Sequence, residues 1–406
     1  MKNSITNPIL VIAFFFAVMN VKAQTAYITN NTDNSVTVIN VANNAVITTI
    51  PVGTGPKGVS VSHDGTKVYI ANGIANTVSV INTATNTVSA TIPVGVSPFG
   101  LFVSPDGSKV YVADGTDSIS VINTATNSVS ATIIGGSFPE GVCVNHDGSK
   151  VYVSNNAGNS VSVINGTTNM VTTTIPVGNN AAGIAITPDG TKVYVANWNN
   201  AGTVSVINTA TNAVSTTVNV GSRPFAVVVS PDGSKVYVTN YNTANISVIN
   251  TATDAVSTTI QLTAQPGGIS ISPDGSKVYV TDINDTTVNE INTATNTITA
   301  TIPVGHSPIA FGNFISTHIT GIPSLNFEAS GISVYPNPAS TILNIHHSTC
   351  TSQETLVITD LLGTEVYKEK LCGIDNTISI SSWSVGLYFY EVRSNTDIAR
   401  GKFVKE

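Results

Sequence analysis

Residues 98–133 read PFGLFVSPDGSKVYVADGTDSISVINTATNSVSATI, and this stretch decides the fold. It contains four runs rich in β-branched and aromatic residues, separated by turn formers. Pro105, Asp106 and Gly107 predict a tight turn, because proline presets φ, aspartate bonds its own backbone and glycine accepts a positive φ. The pattern predicts four antiparallel strands, termed A to D in chain order, at 100–104, 109–113, 118–123 and 128–133.

The same unit recurs along the chain with a period near 42 residues. The Asp-Gly pairs of the predicted A–B turns are 41 to 43 residues apart and begin at Asp64, Asp106, Asp147, Asp189, Asp232 and Asp274. A fixed period of this length is typical of solenoids and propellers. Four short strands in each unit leave no room for a helix, so the repeat predicts propeller blades and excludes leucine-rich and helical arrays.

The strand count predicts how the ring of blades closes. The first repeat begins at a B strand, residues 27–30, and six complete A-to-D sets follow. After the last D strand, residues 307–311 form one more A-like run. We therefore predict an all-β, seven-bladed β-propeller over residues 24–315, in which the N-terminal B, C and D strands pair with this C-terminal A strand. Such pairing leaves no free sheet edge at the seam.

The composition is low in charge, as expected for blades that stack on one another. Only 10% of the 406 residues are charged, whereas 41% are hydrophobic. Disordered chains need the opposite balance, and long surface helices are rich in glutamate and lysine. The 16 basic and 23 acidic residues give a net charge of −7 without a basic cluster, so we expect no nucleic-acid partner.

The N-terminus has the pattern of a secretory signal peptide over residues 1–23. Lys2 supplies the positive start, residues 9–19 are an unbroken apolar run, and Ala23 ends a compact cleavage site. The apolar run is too short to cross a bilayer as a helix. We expect the mature chain to begin at Gln24 and to have no transmembrane segment.

The last quarter of the chain departs from the repeat. The period stops near residue 313, and we predict an irregular linker at 316–331. Alternating hydrophobic runs over 332–406 predict a small β-sandwich domain. Cys350 and Cys372 lie in this domain and could form a disulfide in an exported protein or remain free, whereas Cys143, on an A strand, is predicted to be a buried thiol.

The ends of the B strands carry a recurring tetrapeptide. It reads YVTN at 237–240, YVAN at 194–197 and YITN at 27–30. These in-register copies resemble the YVTN β-propeller repeat family, which includes YncE-like and surface-layer propellers. The resemblance spans residues 26 to about 315 and implies an exported or cell-surface protein rather than one particular reaction.

The C-terminal domain combines several short motifs. A Y-P-N-P-A motif, D-L-L-G at 360–363, a G-L-Y motif and a basic, aromatic end follow in this order. Together they resemble the type IX secretion C-terminal sorting domain of Bacteroidetes. The resemblance implies Sec export, the type IX machinery as a partner, and translocation to the outer surface with attachment or release. The motif residues are Tyr335, Pro336, Asn337, Pro338, Gly386, Tyr388, Lys402 and Lys405.

The sequence contains no recognisable catalytic motif, so we expect no catalytic residue, metal or cofactor. The histidines are scattered, and a nucleophile elbow and a phosphate loop are both absent. Two D-x-x-D loops, Asp114/Asp117 and Asp282/Asp285, could offer oxygens to Ca²⁺, but ordinary turn chemistry is the better interpretation. Glu290 replaces a strand-C valine, and such a carboxylate requires either a raised pKa or a partner.

Four residues stand out on one face of the predicted ring. In an up-and-down blade the B–C and D–A loops share a face, and here they vary between repeats while the A–B and C–D loops do not, so we expect this variable face to carry function. Trp198 and Tyr241 follow adjacent B strands, and Arg223 and Phe225 lie on the D–A loop between them. Exposed aromatic residues beside an arginine suit a sugar ring or a peptide, although they could also merely cover neighbouring loops.

These observations predict a secreted or surface-displayed propeller that binds or scaffolds without catalysis, with a glycan, peptide or protein as ligand. Two alternatives remain open: a propeller enzyme of the lactonase or quinone-dependent dehydrogenase type, and a purely structural surface-layer component. Propeller enzymes of these kinds need histidine, arginine and acidic groups that converge at the channel mouth. The corresponding positions do not converge on one chemistry: Lys57, Phe99, Glu140, Ala182, Phe225, Gly267 and Ile309.

Overall fold

The computed structural model describes residues 24–316, 332–335, 339–347, 354–360, 364–371, 373, 375–393 and 398–405. The chain divides into two compact units, Met1–Gly321 and Ile322–Glu406. The predicted signal peptide and almost all of the predicted linker lie outside the described residues.

The first unit is the predicted propeller. It contains six four-stranded antiparallel sheets and one three-stranded sheet at the N-terminus, each with its strands in chain order. Blade 1 is β4 (Pro56–Val61), β5 (Lys67–Asn72), β6 (Thr77–Asn82) and β7 (Thr87–Pro93), and blade 2 is β8 (Pro98–Val103), β9 (Lys109–Asp114), β10 (Ser118–Asn123) and β11 (Ser128–Ile134). Blade 3 is β12 (Pro139–Val144), β13 (Lys150–Asn155), β14 (Ser160–Asn165) and β15 (Met170–Pro176), and blade 4 is β16 (Ala181–Ile186), β17 (Lys192–Asn197), β18 (Thr203–Asn208) and β19 (Ala213–Asn219). Blade 5 is β20 (Pro224–Val229), β21 (Lys235–Asn240), β22 (Asn245–Asn250) and β23 (Ala255–Gln261), and blade 6 is β24 (Pro266–Ile271), β25 (Lys277–Asp282), β26 (Thr287–Asn292) and β27 (Thr297–Pro303).

Blade 7 is built from both ends of the propeller. Its B, C and D strands are β1 (Thr25–Asn30), β2 (Ser35–Asn40) and β3 (Val46–Pro51), and its fourth position is taken by residues 308–316, the closing segment. The amide of Ile309 donates to the carbonyl of Thr29 at 3.0 Å, which confirms the predicted pairing. On its other side the closing segment also accepts from blade 1, where Val59 donates to the carbonyl of Phe311 at 3.0 Å. The segment therefore completes one blade and ties it to the next.

The interior is formed by the faces on which the blades stack. Strands A to C are largely buried, whereas the D strands alternate between buried and exposed residues. Valine and isoleucine fill the pleated interfaces between sheets, as their β-branched side chains favour. Each B strand adds one tyrosine that is at most 1% exposed: Tyr27, Tyr69, Tyr111, Tyr152, Tyr194, Tyr237 and Tyr279. Because so much of each blade is covered, few positions remain for charged residues.

The repeated lysines connect neighbouring blades. Six lysines begin a B strand, and each donates from Nζ to a main-chain carbonyl in the C–D loop of the following blade. The pairs are Lys67–Thr124, Lys109–Gly166, Lys150–Thr209, Lys192–Thr251, Lys235–Thr293 and Lys277–Val41, at 2.6 to 3.3 Å. Much of the positive charge of the propeller therefore holds blades together.

The second unit has two sheets around one core, which confirms the predicted β-sandwich. The sheets have the strand orders β28-β29-β32 and β31-β30-β33-β34. Their strands are β28 (Ile332–Tyr335), β29 (Ile342–His347), β30 (Glu354–Thr359), β31 (Glu365–Leu371), β32 (Asp375–Ser379), β33 (Gly386–Arg393) and β34 (Ile398–Lys405). Leu343 and Ile345 of one sheet pack with Leu356, Ile358 and Phe403 of the other.

Candidate functional site

The variable face of the propeller carries two concentric rings of residues, one from each blade. The inner ring contains the second residue of each A strand, and the outer ring contains the residue that follows each B strand. Going from blade 1 to blade 7, the inner ring is Lys57, Phe99, Glu140, Ala182, Phe225, Gly267 and Ile309, and the outer ring is Gly73, Gly115, Asn156, Trp198, Tyr241, Ile283 and Asn31. Outer residues lie close to the inner residue of the same blade, as where Asn156 donates to the Glu140 carboxylate at 2.7 Å.

Five aromatic side chains form a continuous row from the ring axis outwards, which we term the aromatic row. Phe311 of the closing segment is the central member of the aromatic row. The centroid of its ring lies 5.1 Å from that of Phe99 and 5.1 Å from that of Phe225. Phe225 contacts Trp198 edge to face at 5.1 Å, and Trp198 contacts Tyr241 at 5.3 Å. Such contacts orient each ring, so that Trp198 and Tyr241 are supported by a packed interior.

The structure corrects one expectation about these residues. Phe225 was expected to be an exposed ligand-binding residue, but only 8% of it is exposed. Its position in strand A directs the side chain to the axis, where Phe311 and Phe99 cover it. Trp198, Arg223 and Tyr241 remain partly exposed. Of the four predicted residues, these three can present a surface to a ligand.

Arg223 is held beside Trp198 by the backbone of its loop. Its φ of 52° lies in the left-handed region, which is unfavourable for a residue with a Cβ. Two hydrogen bonds maintain this conformation: Arg223 donates its amide to the Asn199 carbonyl at 2.9 Å, and the Tyr241 amide donates to the Arg223 carbonyl at 2.9 Å. The guanidinium carbon lies 5.9 Å from the centre of the Trp198 ring. The loop therefore fixes a cation at the edge of the aromatic row.

An open groove lies next to these two residues. It has a volume of about 340 Å³ and is lined by Asn180, Trp198, Asn199, Asn200 and Arg223. This volume is within the range of small-molecule sites, roughly 300–1,000 Å³. Three amide side chains, one indole and one guanidinium offer hydrogen bonds around a flat apolar surface.

The central channel has no comparable space. The A strands meet at the axis through small residues such as Gly100, Gly141 and Gly183, and the cavity between them has a volume of about 30 Å³. A cavity of that size holds about one water molecule. A ligand larger than water therefore does not fit into this axial cavity.

Lys57 and Glu140 occupy the inner ring on either side of Phe99. Lys57 Nζ lies 4.6 Å from the centre of the Phe99 ring. Burial raises the pKa of Glu140 to about 7, although the hydrogen bond from Asn156 and the charge of Lys57 act in the opposite direction. Burial likewise lowers the pKa of Lys57, and Glu140 opposes this shift. Lys57 and Glu140 therefore interact electrostatically, although the inner-ring positions were predicted not to converge on one chemistry.

The two D-x-x-D loops serve as turns. Asp114 and Asp282 replace the asparagine that ends the B strand in the other blades, and burial raises the pKa of each carboxyl to about 6. Asp114 accepts hydrogen bonds from the hydroxyls of Ser118 and Ser120, at 3.1 and 2.8 Å. Among the residues that the structure describes, no group of three or more His, Cys, Asp or Glu side chains is arranged to hold a metal ion.

Glu290 has the partner that its buried position requires. Its carboxylate accepts hydrogen bonds from Lys277 at 2.9 Å, Tyr279 at 2.8 Å and Thr299 at 2.6 Å. Burial acts to raise its pKa, but these hydrogen bonds prevail and the pKa is lowered to about 2. Cys143 is buried and free, as predicted.

The sorting motif is only partly within the described residues. Pro336, Asn337 and Pro338 lie outside them, as do Cys350 and Cys372, so their predicted roles stay predictions. Tyr335 ends β28, Gly386 begins β33, and Lys402 pairs with Phe389 across β33 and β34. Tyr388 stacks on Phe403 at 5.6 Å, and Lys405 is buried at the end of β34. Tyr388 and Lys405 are therefore the motif residues whose side chains are seen to be buried in the described part of this domain.

Comparison with protein families identifies both units. The YNCE-like β-propeller family matches residues 13–104 and 142–250, and the secretion system C-terminal sorting domain matches residues 333–406. The chain therefore carries a YNCE-like β-propeller and a type IX sorting domain. The sorting domain implies the type IX secretion machinery as a partner and supports delivery to the outer surface. Within the described parts of the chain, no helix has the length and apolar character to span a membrane.

Solved structures agree with the fold of this YNCE-like propeller. Hydrazine synthase of Kuenenia stuttgartiensis is similar with a TM-score of 0.59 and 22% identity, over 64% of this chain and 90% of the other. A functionally unknown protein of Desulfotomaculum acetoxidans is similar with a TM-score of 0.62 and 14% identity, over 71% of this chain and 100% of the other. Both identities are below 25%, so the likenesses establish the fold alone. A comparison with curated proteins finds no match.

Proposed function

We propose that this protein is a secreted, non-catalytic propeller that binds a carbohydrate at the outer end of the aromatic row. The observation that carries the proposal is the pair Trp198 and Tyr241, whose rings are partly exposed while Phe225 and Phe311 behind them are buried. A rigidly supported aromatic surface loses little side-chain entropy when a ligand covers it. In this proposal the sorting domain delivers the binding face to the cell exterior.

The groove beside Trp198 favours a sugar over an apolar ligand. Asn180, Asn199 and Asn200 place amide groups around the indole, and amides match the hydroxyl groups at the edge of a sugar ring. The apolar face of such a ring would stack on Trp198. A ligand recognised mainly by hydrophobic contact would need a deeper cavity, and the central channel has only about 30 Å³.

An array experiment tests this function. The purified full-length chain is applied to immobilised glycans and peptides, together with Trp198→Ala, Tyr241→Ala and the control variant Phe138→Ala. Phe138 is a 42% exposed aromatic residue at the D–A loop position that corresponds to Arg223, on a different blade. We expect glycan binding by the wild type and Phe138→Ala and at least tenfold weaker binding by Trp198→Ala. Binding to peptides alone, or to nothing on the array, would contradict the proposal, and the second result would favour a structural surface-layer role.

Glu140 supports a second candidate function, acid–base catalysis at the inner ring. Its pKa of about 7 suits a general acid or base, and Lys57 supplies a neighbouring cation. This candidate predicts hydrolysis of a lactone, in which water adds to the carbonyl and the ring oxygen leaves as a hydroxyl, and Glu140→Gln should remove this activity while the fold is retained. Failure to turn over a panel of such substrates would leave the binding function.

A further inference from the structure

We infer that the carbohydrate bound beside Trp198 is acidic, and that Arg223 recognises its carboxylate or sulfate. This inference rests on the proposed function and specifies the chemistry of the ligand. Arg223 is the only charged residue among the seven D–A loop positions that precede the A strands. The other six are Gly55, Ser97, Phe138, Asn180, Gln265 and Ser307.

The guanidinium group of Arg223 has unused hydrogen-bonding capacity. Its Nε donates to Asn200 Oδ1 at 3.1 Å, and this is its one side-chain hydrogen bond to the described residues. Within the same residues Arg223 makes no ion pair. The two terminal nitrogens therefore retain the planar donor pair that binds carboxylate and sulfate groups in bidentate geometry.

The surroundings of Arg223 favour an anion. The groove lining contains three asparagines and Trp198 but no aspartate or glutamate, although the chain as a whole has a net charge of −7. A positive site on an acidic protein is selective, because the rest of the surface repels anions. The 5.9 Å separation between the guanidinium carbon and the Trp198 ring allows a sugar ring on the indole to place an acidic substituent near Arg223.

The backbone of the loop sets the position of the arginine. Arg223 has a left-handed conformation, with φ of 52°, and the same loop position is left-handed in five other blades, at Gly55, Ser97, Phe138, Asn180 and Ser307. The conformation therefore belongs to the fold, and what distinguishes this blade is the charged side chain at that position.

Calorimetry on the full-length chain tests the inference with three probes: an oligosaccharide of uronic acids, its carboxyl-reduced neutral counterpart, and a sulfated oligosaccharide of the same length. We expect at least one acidic probe to bind about tenfold more tightly than the neutral one, a difference of about 1.4 kcal/mol, because hydrogen bonds between charged groups are stronger than those between neutral ones. The affinity of the acidic probe should fall with added salt, whereas that of the neutral probe should not. The uronic and sulfated probes distinguish the two acidic groups.

The matched variant is Arg223→Asn, because Asn180 adopts the same left-handed conformation in blade 4, with φ of 58°. We expect Arg223→Asn to bind the acidic and neutral probes equally, and Ser97→Asn, at the same position of another loop, to behave like the wild type. Equal binding of all probes by the wild type, lost in Trp198→Ala, would overturn the acidic preference while the carbohydrate function stands. An acidic preference that survives in Arg223→Asn would overturn the role of Arg223. No binding of any probe would overturn both proposals.

Discussion

Lys277 donates a hydrogen bond from Nζ to the main-chain carbonyl of Val41, 236 residues earlier in the chain, at 3.1 Å. The same nitrogen contacts the Glu290 carboxylate at 2.9 Å. One lysine therefore joins blade 6 to blade 7 and also neutralises a carboxylate that is 5% exposed. The remaining repeated lysines provide natural comparisons for its contribution to stability.

Replacing Lys277 with methionine is expected to lower the free energy of unfolding by about 3 kcal/mol, because removal of one partner leaves a buried charge unpaired. Lys235→Met is the matched control, since Lys235 bonds to the Thr293 carbonyl but to no carboxylate, and about 1 kcal/mol is expected there. Urea unfolding followed by circular dichroism measures both. The double variant Lys277→Met/Glu290→Val, with the valine of other repeats, should recover most of the loss. Equal losses for the two lysines would show that the ion pair contributes nothing.

Asp114→Asn is expected to stabilise the propeller at neutral pH. Burial raises the pKa of Asp114 to about 6 from an ordinary value of 3.8, so the folded protein holds this proton more tightly than the unfolded chain. Wild-type stability therefore falls as the pH rises from about 4 to above 6. The variant should gain about 1–3 kcal/mol at pH 8 and little at pH 4.

Asp106→Asn is expected to change the pH dependence of stability in the opposite direction. Hydrogen bonds from Ser104 and Ser108 lower the pKa of Asp106, so its contribution to stability is present above the ordinary pKa and is lost as the pH falls. We expect this variant to be less stable than the wild type at pH 8 and to approach it in acid. Urea unfolding across the pH range measures both aspartates, and parallel pH profiles for the two variants would refute the assignment.

Phe225 and Trp198 should differ in what they contribute. Phe225→Ala removes a buried ring from contact with Phe311 and Trp198, and we expect a loss of about 3–5 kcal/mol of stability. Trp198→Ala removes a partly exposed ring and should lose less stability but more glycan binding. Thermal unfolding and glycan affinity are measured on both variants. A Trp198→Ala protein as destabilised as Phe225→Ala would mean that the aromatic row is only a packing device.

Deletion of residues 332–406 tests delivery. The sorting domain matches 333–406, so the truncated protein is expected to accumulate in the periplasm of a type IX-secreting host. Cell fractionation with an antibody against the propeller measures its location, and the full-length chain is the control. Delivery of the truncated protein to the surface would contradict the role assigned to this domain.

Much of the fold could be predicted from local sequence, whereas contacts between blades could not. The Asp-Gly spacing and the β-branched runs predicted the strands, because turn formers and β-branched residues are local signals. The acceptors of Lys277 lie in another blade and in a neighbouring strand, so the partner of Glu290 was not evident. The closing segment was recognised as an A strand, but its hydrogen bonds to blade 1 were not predicted, because its sequence departs from that of the repeat.

The candidate site was also predicted only in part, because some of its contacts join distant blades. Trp198, Arg223 and Tyr241 were placed on one face by loop topology, and the structure brings them together. Phe225 was assigned to the same surface because it is close to Arg223 in sequence. Its burial depends on Phe99 and Phe311, which come from distant blades and meet only at the axis. The burial of residues near a symmetry axis depends on the whole ring.

Because blade 7 is built from both ends of the propeller, it can be completed only after the closing segment has been synthesised. Thr29 is synthesised near the start of the chain, yet the amide of Ala310 that bonds to its hydroxyl is 281 residues later. At 5–20 residues per second, synthesis separates these partners by on the order of tens of seconds. During that interval the edge of β1 that faces away from β2 is unpaired, and the ring of blades cannot close. The propeller can therefore close only when nearly all of it has been synthesised, shortly before the sorting domain that begins near residue 333.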